Sequence, residues 1–300
     1  MFMKKGTRVG LMGLLVFSIF LGTLRPREAE AKMTVEKIKA YYMVMDADTG
    51  EVLASRKAKK KILPASTTKV LTVITAIDQM VLKGIDMEDY VKVTKKMIKS
   101  VPYGSKCAYL HAKSRYKMKD IIGLVMVASA ADAVKVLEKR LFKTEKIMAR
   151  KMNAKAKAIG MTKSNFNNGI GLDKSSGYKG IYTTAEDMAK LAFYANEKYP
   201  AVGQYSKKKK IRVHDKKAKY YHVLRSTNQF YTYAGYSKKK YKITGMKTGF
   251  TTPAGSTLLT KAEGKSEEYR NLIVAVYHVR GKENVYQNTR LLLDRYIGRE

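Results

Sequence analysis

Leu63-Pro64-Ala65-Ser66-Thr67-Thr68-Lys69-Val70-Leu71 opens a run that continues as Thr72-Val73-Ile74-Thr75-Ala76-Ile77-Asp78-Gln79-Met80-Val81-Leu82. Beyond Pro64, Val70, Ile74, Ile77 and Val81 recur at helical spacing, and Leu71, Val73 and Met80 widen the stripe. A helix that is apolar around most of its circumference is a buried one, so the spacing predicts a central helix over 67–82. Ser66 and Lys69 stand three residues apart at its start and share a face. A serine hydroxyl is a weak nucleophile and needs an adjacent base. A lysine can be that base when burial and nearby positive charge lower its pKa. The helix N-terminus adds free backbone N–H groups and a positive dipole end, which suit a developing oxyanion.

Working outward, Ala40–Met45 and Glu51–Arg56 read as two strands joined by the turn-forming Asp46-Ala47-Asp48-Thr49-Gly50, hence a hairpin. Downstream, Lys117–Phe142 reads as two helices with a small-residue break at Ser129-Ala130-Ala131. Lys143–Ile159 is a basic amphipathic helix. Thr184–Ala195 is another, with Thr183 or Thr184 as cap and Glu186 and Asp187 in its first turn. The last third turns to strands at Tyr241–Met246, Ser256–Ala262 and Asn271–Val279, and a closing helix covers Val285–Ile297. A β start, a helical middle and a β finish predict an α+β fold whose antiparallel sheet uses both chain ends.

Composition narrows the classes. The 300 residues carry 60 Lys plus Arg against 25 Asp plus Glu, a net charge of +35. With 45% hydrophobic residues the chain can bury a core, which excludes wholesale disorder. The single cysteine, Cys107, excludes an internal disulfide framework, and four scattered histidines show no metal-ligand spacing. Such a basic chain would suggest nucleic acid, but the N-terminus points elsewhere. Lys4, Lys5 and Arg8 precede the apolar run Val9–Thr23, and Ala29-Glu30-Ala31 is a cleavage signature, so residues 1–31 read as an export signal peptide. That segment holds five basic and two acidic residues, which leaves 269 residues at +32 as a single expected domain, 32–300. An exported basic surface meets anionic wall polymers or a membrane face rather than nucleic acid. The runs Lys59–Lys61, Lys207–Lys210 and Lys238–Lys240 fit either that role or plain solvated loops.

The S-x-x-K tetrapeptide alone says little here. It occurs five times, at Ser66, Ser114, Ser176, Ser206 and Ser237, against about two expected by chance from 15 serines and 46 lysines. Only Ser66 opens a long buried helix. Lys247-Thr248-Gly249 occurs once, on a strand-like stretch, where a cation and a hydroxyl can hold a carboxylate and a glycine permits close backbone approach. Ser129, at the helical break, is the third element; a helix cap is its other reading.

The order S-x-x-K, Ser129, K-T-G resembles the serine penicillin-recognising enzymes, and within them the D-alanyl-D-alanine carboxypeptidase family of low-molecular-mass penicillin-binding proteins. Met45–Leu53 is similar to that family's opening hairpin and Leu63–Lys69 to its nucleophile motif. Asn167-Asn168-Gly169-Ile170-Gly171-Leu172 with Thr183–Ala189 resembles its middle signature, and Gly245–Thr251 its third motif. The resemblance implies a β-lactamase/transpeptidase-like fold and acyl transfer without metal or organic cofactor. Ser66 would attack the penultimate D-Ala carbonyl, Lys69 would take its proton, and Ser129 would relay one to the leaving nitrogen. The N–H groups of Ser66 and Phe250 would hold the oxyanion, and Lys247 and Thr248, beside Gly249, the terminal carboxylate. Peptidoglycan stem peptides ending in D-Ala-D-Ala are the implied substrate, β-lactams the implied covalent inhibitors, and the cell wall the implied location.

Two departures stand out. The family's second motif is S-x-N, whereas here Ser129-Ala130-Ala131-Asp132-Ala133 puts alanine where the carboxamide belongs. Second, about fifty residues follow the third motif, so a catalytic domain alone is expected, without the additional β-rich domain and amphipathic membrane anchor of many relatives. Transpeptidase or endopeptidase action shares the same acyl-enzyme and stays open, as does a decayed, non-catalytic wall-binding role suggested by Ala131. A class A β-lactamase is disfavoured because no E-x-x-L-N-type segment lies between Ser129 and Lys247.

Overall fold

Tyr41–Asp46 (β1) and Val52–Arg56 (β2) form the hairpin read from the sequence. One Asp46 carboxylate oxygen accepts the N–H groups of Asp48 (2.9 Å) and Thr49 (3.0 Å), and Gly50 takes a positive φ of 78°, so the turn is built from its own side chains. These coordinates are a computed structural model that describes residues 33–299 apart from 178, 233–234 and 281–283. The expected signal peptide, 1–31, lies outside the described residues.

The chain continues through Lys69–Leu82 (α1), Tyr90–Lys92 (β3), Lys95–Lys99 (α2) and Arg115–Lys117 (β4), with β3 and β4 paired. Met118–Ala128 (α3) and Ala131–Leu137 (α4) are separated at the small-residue break, and Glu145–Ala158 (α5), Ala185–Lys198 (α6) and Pro200–Ser206 (α7) follow. The Thr184 hydroxyl accepts the Asp187 N–H at 3.0 Å and caps α6 as expected. Lys210–His214 (β5) and Tyr221–Arg225 (β6) make a second hairpin. Tyr241–Thr251 (β7), Gly255–Gly264 (β8), Leu272–Val279 (β9) and Val285–Tyr296 (α8) complete the described chain.

One five-stranded antiparallel sheet runs in the order β2-β1-β9-β8-β7. Strand β9 pairs with β1 (Met43 opposite Ala275) and with β8 (Leu259 opposite Ala275), so both chain ends meet at the sheet centre and the α+β reading holds. β9 is almost continuously buried and touches both α6 and α8; its unbroken apolar run Leu272–Tyr277 reflects cover on both faces.

Helix α1 packs against α3, α5 and α6, with Val70, Leu71, Val73 and Ile74 fully buried. Two details differ from the periodic pattern. Val81 and Leu82 are three-quarters exposed, because the last turn of α1 extends past its packing partners. The α-helix begins at Lys69, and Ala65–Thr68 form a tighter 3-10 turn. In that geometry residues three apart eclipse, so the turn brings Ser66 and Lys69 into closer alignment than an α-helix would. Among the described residues no helix is long and apolar enough to cross a membrane.

Candidate active site

The 3-10 turn places the Ser66 hydroxyl 2.8 Å from Lys69 Nζ. Lys69 is 1% exposed, and burial lowers its pKa from 10.5 to about 7. Its second hydrogen bond goes to the Ile170 carbonyl oxygen at 2.8 Å. A near-neutral amine beside a hydroxyl is the arrangement that a nucleophile–base pair requires.

Ile170 belongs to a loop that folds around one side chain. Asn168, fully buried, accepts at Oδ1 the N–H groups of Ile170 (3.1 Å), Gly171 (2.8 Å) and Leu172 (3.1 Å), and its Nδ2 donates to the Leu172 carbonyl oxygen (3.0 Å). Gly171 has a φ of +87°, and a Cβ there would lie 1.9 Å from the Ala65 carbonyl oxygen. The loop therefore presses on the residue before Ser66, a contact only glycine permits.

The third motif lies on β7, against the same turn. A Cβ on Gly249 would meet the Ser66 nitrogen at 2.8 Å and Thr257 Oγ1 at 2.5 Å, so the glycine lets the strand backbone approach Ser66. Phe250 follows with its ring two-thirds exposed. Thr248 donates its hydroxyl to Thr227 Oγ1 at 2.7 Å. Lys247 is 1% exposed and donates to the Thr248 carbonyl oxygen at 3.1 Å. Burial, and then the charges of Lys69 and Lys106, hold its pKa well below the usual lysine value.

Ser129 ends α3 in a left-handed conformation (φ 60°, ψ 29°) that non-glycine residues rarely adopt, and faces the same cleft. It is a C-terminal cap residue rather than the N-cap of α4. Ala131 opens α4, is buried, and donates its N–H to the Lys106 carbonyl oxygen at 2.7 Å. The buried Asp132 carboxylate accepts the N–H groups of Ala108 (2.9 Å) and Leu110 (3.0 Å), which fastens the 104–110 loop beside the site.

Ser66, Lys69, Ser129, Thr248, Gly249 and Phe250 line one cavity of about 360 Å³, and Lys247 lies buried directly behind Thr248. Every expected site residue is thus gathered around that cleft. Among the described residues, Ser114, Ser206 and Ser237 do not line it; Ser206, for one, donates to the Val202 carbonyl oxygen within α7. Sequence reading passed over Thr227, the role of Asn168 and the 104–110 loop. The signal for the last was Asp132, a buried acid in the first turn of a mostly apolar helix. Among the described residues no cluster of His, Cys, Asp or Glu could hold a metal.

The model of the D-alanyl-D-alanine carboxypeptidase family matches residues 28–280. The D-alanyl-D-alanine carboxypeptidase DacF of Bacillus subtilis is 25% identical over 94% of this chain and 69% of its own length. DacC of Escherichia coli, a carboxypeptidase of the same name, is 28% identical over 84% of this chain and 61% of its own. The crystal structure of the carboxypeptidase DacD from Francisella tularensis superposes with a TM-score of 0.71 at 21% identity, over 87% of this chain and 70% of that one, and shares the β-lactamase/transpeptidase-like fold. The chain belongs to the D-alanyl-D-alanine carboxypeptidase family of serine peptidases.

Proposed function

We propose that Ser66 is the nucleophile acylated during cleavage of peptidoglycan stem peptides ending in D-Ala-D-Ala. The observation that carries this is the 2.8 Å contact between Ser66 Oγ and an amine whose pKa burial has brought to about 7. Lys69 takes the hydroxyl proton as Ser66 bonds to the penultimate D-Ala carbonyl carbon. The resulting oxyanion meets the backbone N–H groups of Ser66 and Phe250, and the close approach of Gly249 to the Ser66 nitrogen supports that pairing. Ser129 passes a proton to the leaving D-Ala nitrogen as the peptide bond breaks. Thr248 and Lys247 receive the terminal carboxylate, whose charge favours protonation of Lys247. Water then hydrolyses the ester, with Lys69 again as base.

The test is labelling by a fluorescent penicillin together with D-Ala release. Ser66→Ala should abolish both while the circular dichroism spectrum is kept. Label retained in that variant, or moved to Ser114, would refute the assignment. The decayed wall-binding reading predicts no labelling of the unmodified chain.

Residues 1–31 act in this proposal as an export signal, and the substrate puts the enzyme outside the cytoplasm. The exposed lysine runs at 59–61, 207–210 and 238–240 then face anionic wall polymers. Release from isolated walls by salt, and earlier release when the runs are changed to glutamine, would support this attachment.

A further inference from the structure

Among the described residues that line the cavity, two are lysines, Lys69 and Lys106, and none carries a carboxylate. Lys69 is buried and its amine is engaged by Ser66 and Ile170. Lys247 is also buried, with the charges of Lys69 and Lys106 acting against its own protonation. An incoming carboxylate therefore finds both buried amines poorly disposed to carry charge. Lys106 differs from them in being exposed at the cavity wall. It is near enough to Lys247 for its charge to act there.

The loop that carries Lys106 is not loose. The Lys106 carbonyl oxygen accepts the Ala131 N–H, and Asp132 holds the N–H groups of Ala108 and Leu110 two and four residues on. The backbone of Lys106 is thereby fixed beside Ala131, where the side chain at the third position of the second motif is only a methyl. Lys106 and Ala131 line the same cavity.

We infer that Lys106 is a specificity-determining residue for the carboxypeptidase reaction: its ammonium binds the terminal carboxylate of the substrate beside Thr248, so that peptides with a free C-terminal carboxylate are selected over peptides blocked there. The inference rests on the acyl-transfer reading of Ser66. Lysine is suited to this as a compact charge with three donors on a flexible stem. The carboxylate, once held, brings negative charge to Lys247 and offsets the repulsion from Lys69 and Lys106.

The experiment compares a peptide ending in D-Ala-D-Ala with the same peptide as its C-terminal amide, using the unmodified enzyme, Lys106→Met and Lys106→Arg. A lost charge-assisted hydrogen bond corresponds to roughly a ten- to hundredfold change. Lys106→Met should lower kcat/KM for the acid by that factor, mainly through KM, and reduce the acid-to-amide preference at least about tenfold. Lys106→Arg should retain most of the preference, and raised salt should narrow the gap between the unmodified enzyme and Lys106→Met. Equal losses on both peptides, or no loss on either, overturn the inference while leaving Ser66 as nucleophile. If the unmodified enzyme cleaves neither peptide and takes no penicillin label, the acyl-transfer reading fails and this inference with it.

Discussion

The Ile170 carbonyl oxygen accepts a hydrogen bond from Lys69 Nζ at 2.8 Å, across 101 residues of chain. That bond and the one to Ser66 aim the lysine amine, and Asn168 in turn fixes the peptide that supplies the carbonyl. The Lys69 amine is therefore oriented by a distant loop as well as by the turn that opens its own helix.

Asn168→Ala should damage both stability and rate. It removes the acceptor of three backbone N–H groups in a fully buried setting, and an unsatisfied buried donor costs about 1–3 kcal/mol. The melting temperature should fall by roughly 4 °C or more. Penicillin acylation should slow about ten- to hundredfold because the Ile170 carbonyl loses its fixed position. A variant with the lowered melting temperature but an unchanged acylation rate would show that the loop does not orient Lys69.

Gly249→Ala separates rate from stability differently. The added methyl would sit 2.5 Å from Thr257 Oγ1 and 2.8 Å from the Ser66 nitrogen, so β7 must retreat from the nucleophile. Acylation should fall by about a hundredfold or more as the oxyanion donors separate. The strand pairing of β7 with β8 is extensive, so the melting temperature should move less than in Asn168→Ala. Stopped-flow acylation and a thermal melt on the same preparation check both halves.

Lys69 sets a pH dependence with a definite sign. Its folded pKa, about 7, lies below the unfolded 10.5, so the unfolded chain binds more protons between those values. Stability lost to this burial is fully lost below about pH 7, and is regained as pH rises toward 10.5. Lys69→Met, which keeps the volume and removes the charge, should raise the melting temperature at pH 7 and lose that advantage near pH 10. It should also abolish acylation, which in the unmodified enzyme should rise with pH to a plateau above about 7. A variant no more stable than the parent at pH 7 would contradict the depressed pKa.

Much of this was legible in the sequence because it is locally periodic. The α1 stripe, the Asp46–Gly50 turn and the break at Ser129 each announce themselves within a dozen residues. What stayed hidden depends on contacts between distant segments. Thr227 reaches Thr248 from just beyond β6, and β6 inverts the usual strand pattern, with Tyr221 and Val223 exposed around the buried His222, so it does not read as a strand that buries its apolar face. Lys106 is one lysine among many until Asp132 and Ala131 fix its loop against the site. The end of α1 misleads in the other direction: Val81 continues the apolar period but meets solvent, since periodicity cannot say where the packing partners stop.

Ala131→Asn tests the departure in the second motif. Ala131 lines the cavity and its backbone N–H is already committed to Lys106, so an asparagine there would add a carboxamide facing the cleft without displacing an existing side-chain bond. Lys69 in this chain has two partners, Ser66 and Ile170. A carboxamide oxygen offers it a third, and the amide N–H groups offer donors to the substrate backbone. A hydrogen bond to a charged group contributes about 1.5–3 kcal/mol, which places the upper bound of the gain at roughly ten- to a hundredfold in acylation. The melting temperature should stay flat or drop slightly, because alanine is the better helix former at the start of α4. If acylation is unchanged or slower, the Ile170 carbonyl already completes the base, and the Ser129-Ala130-Ala131 sequence is a sufficient second motif in this enzyme.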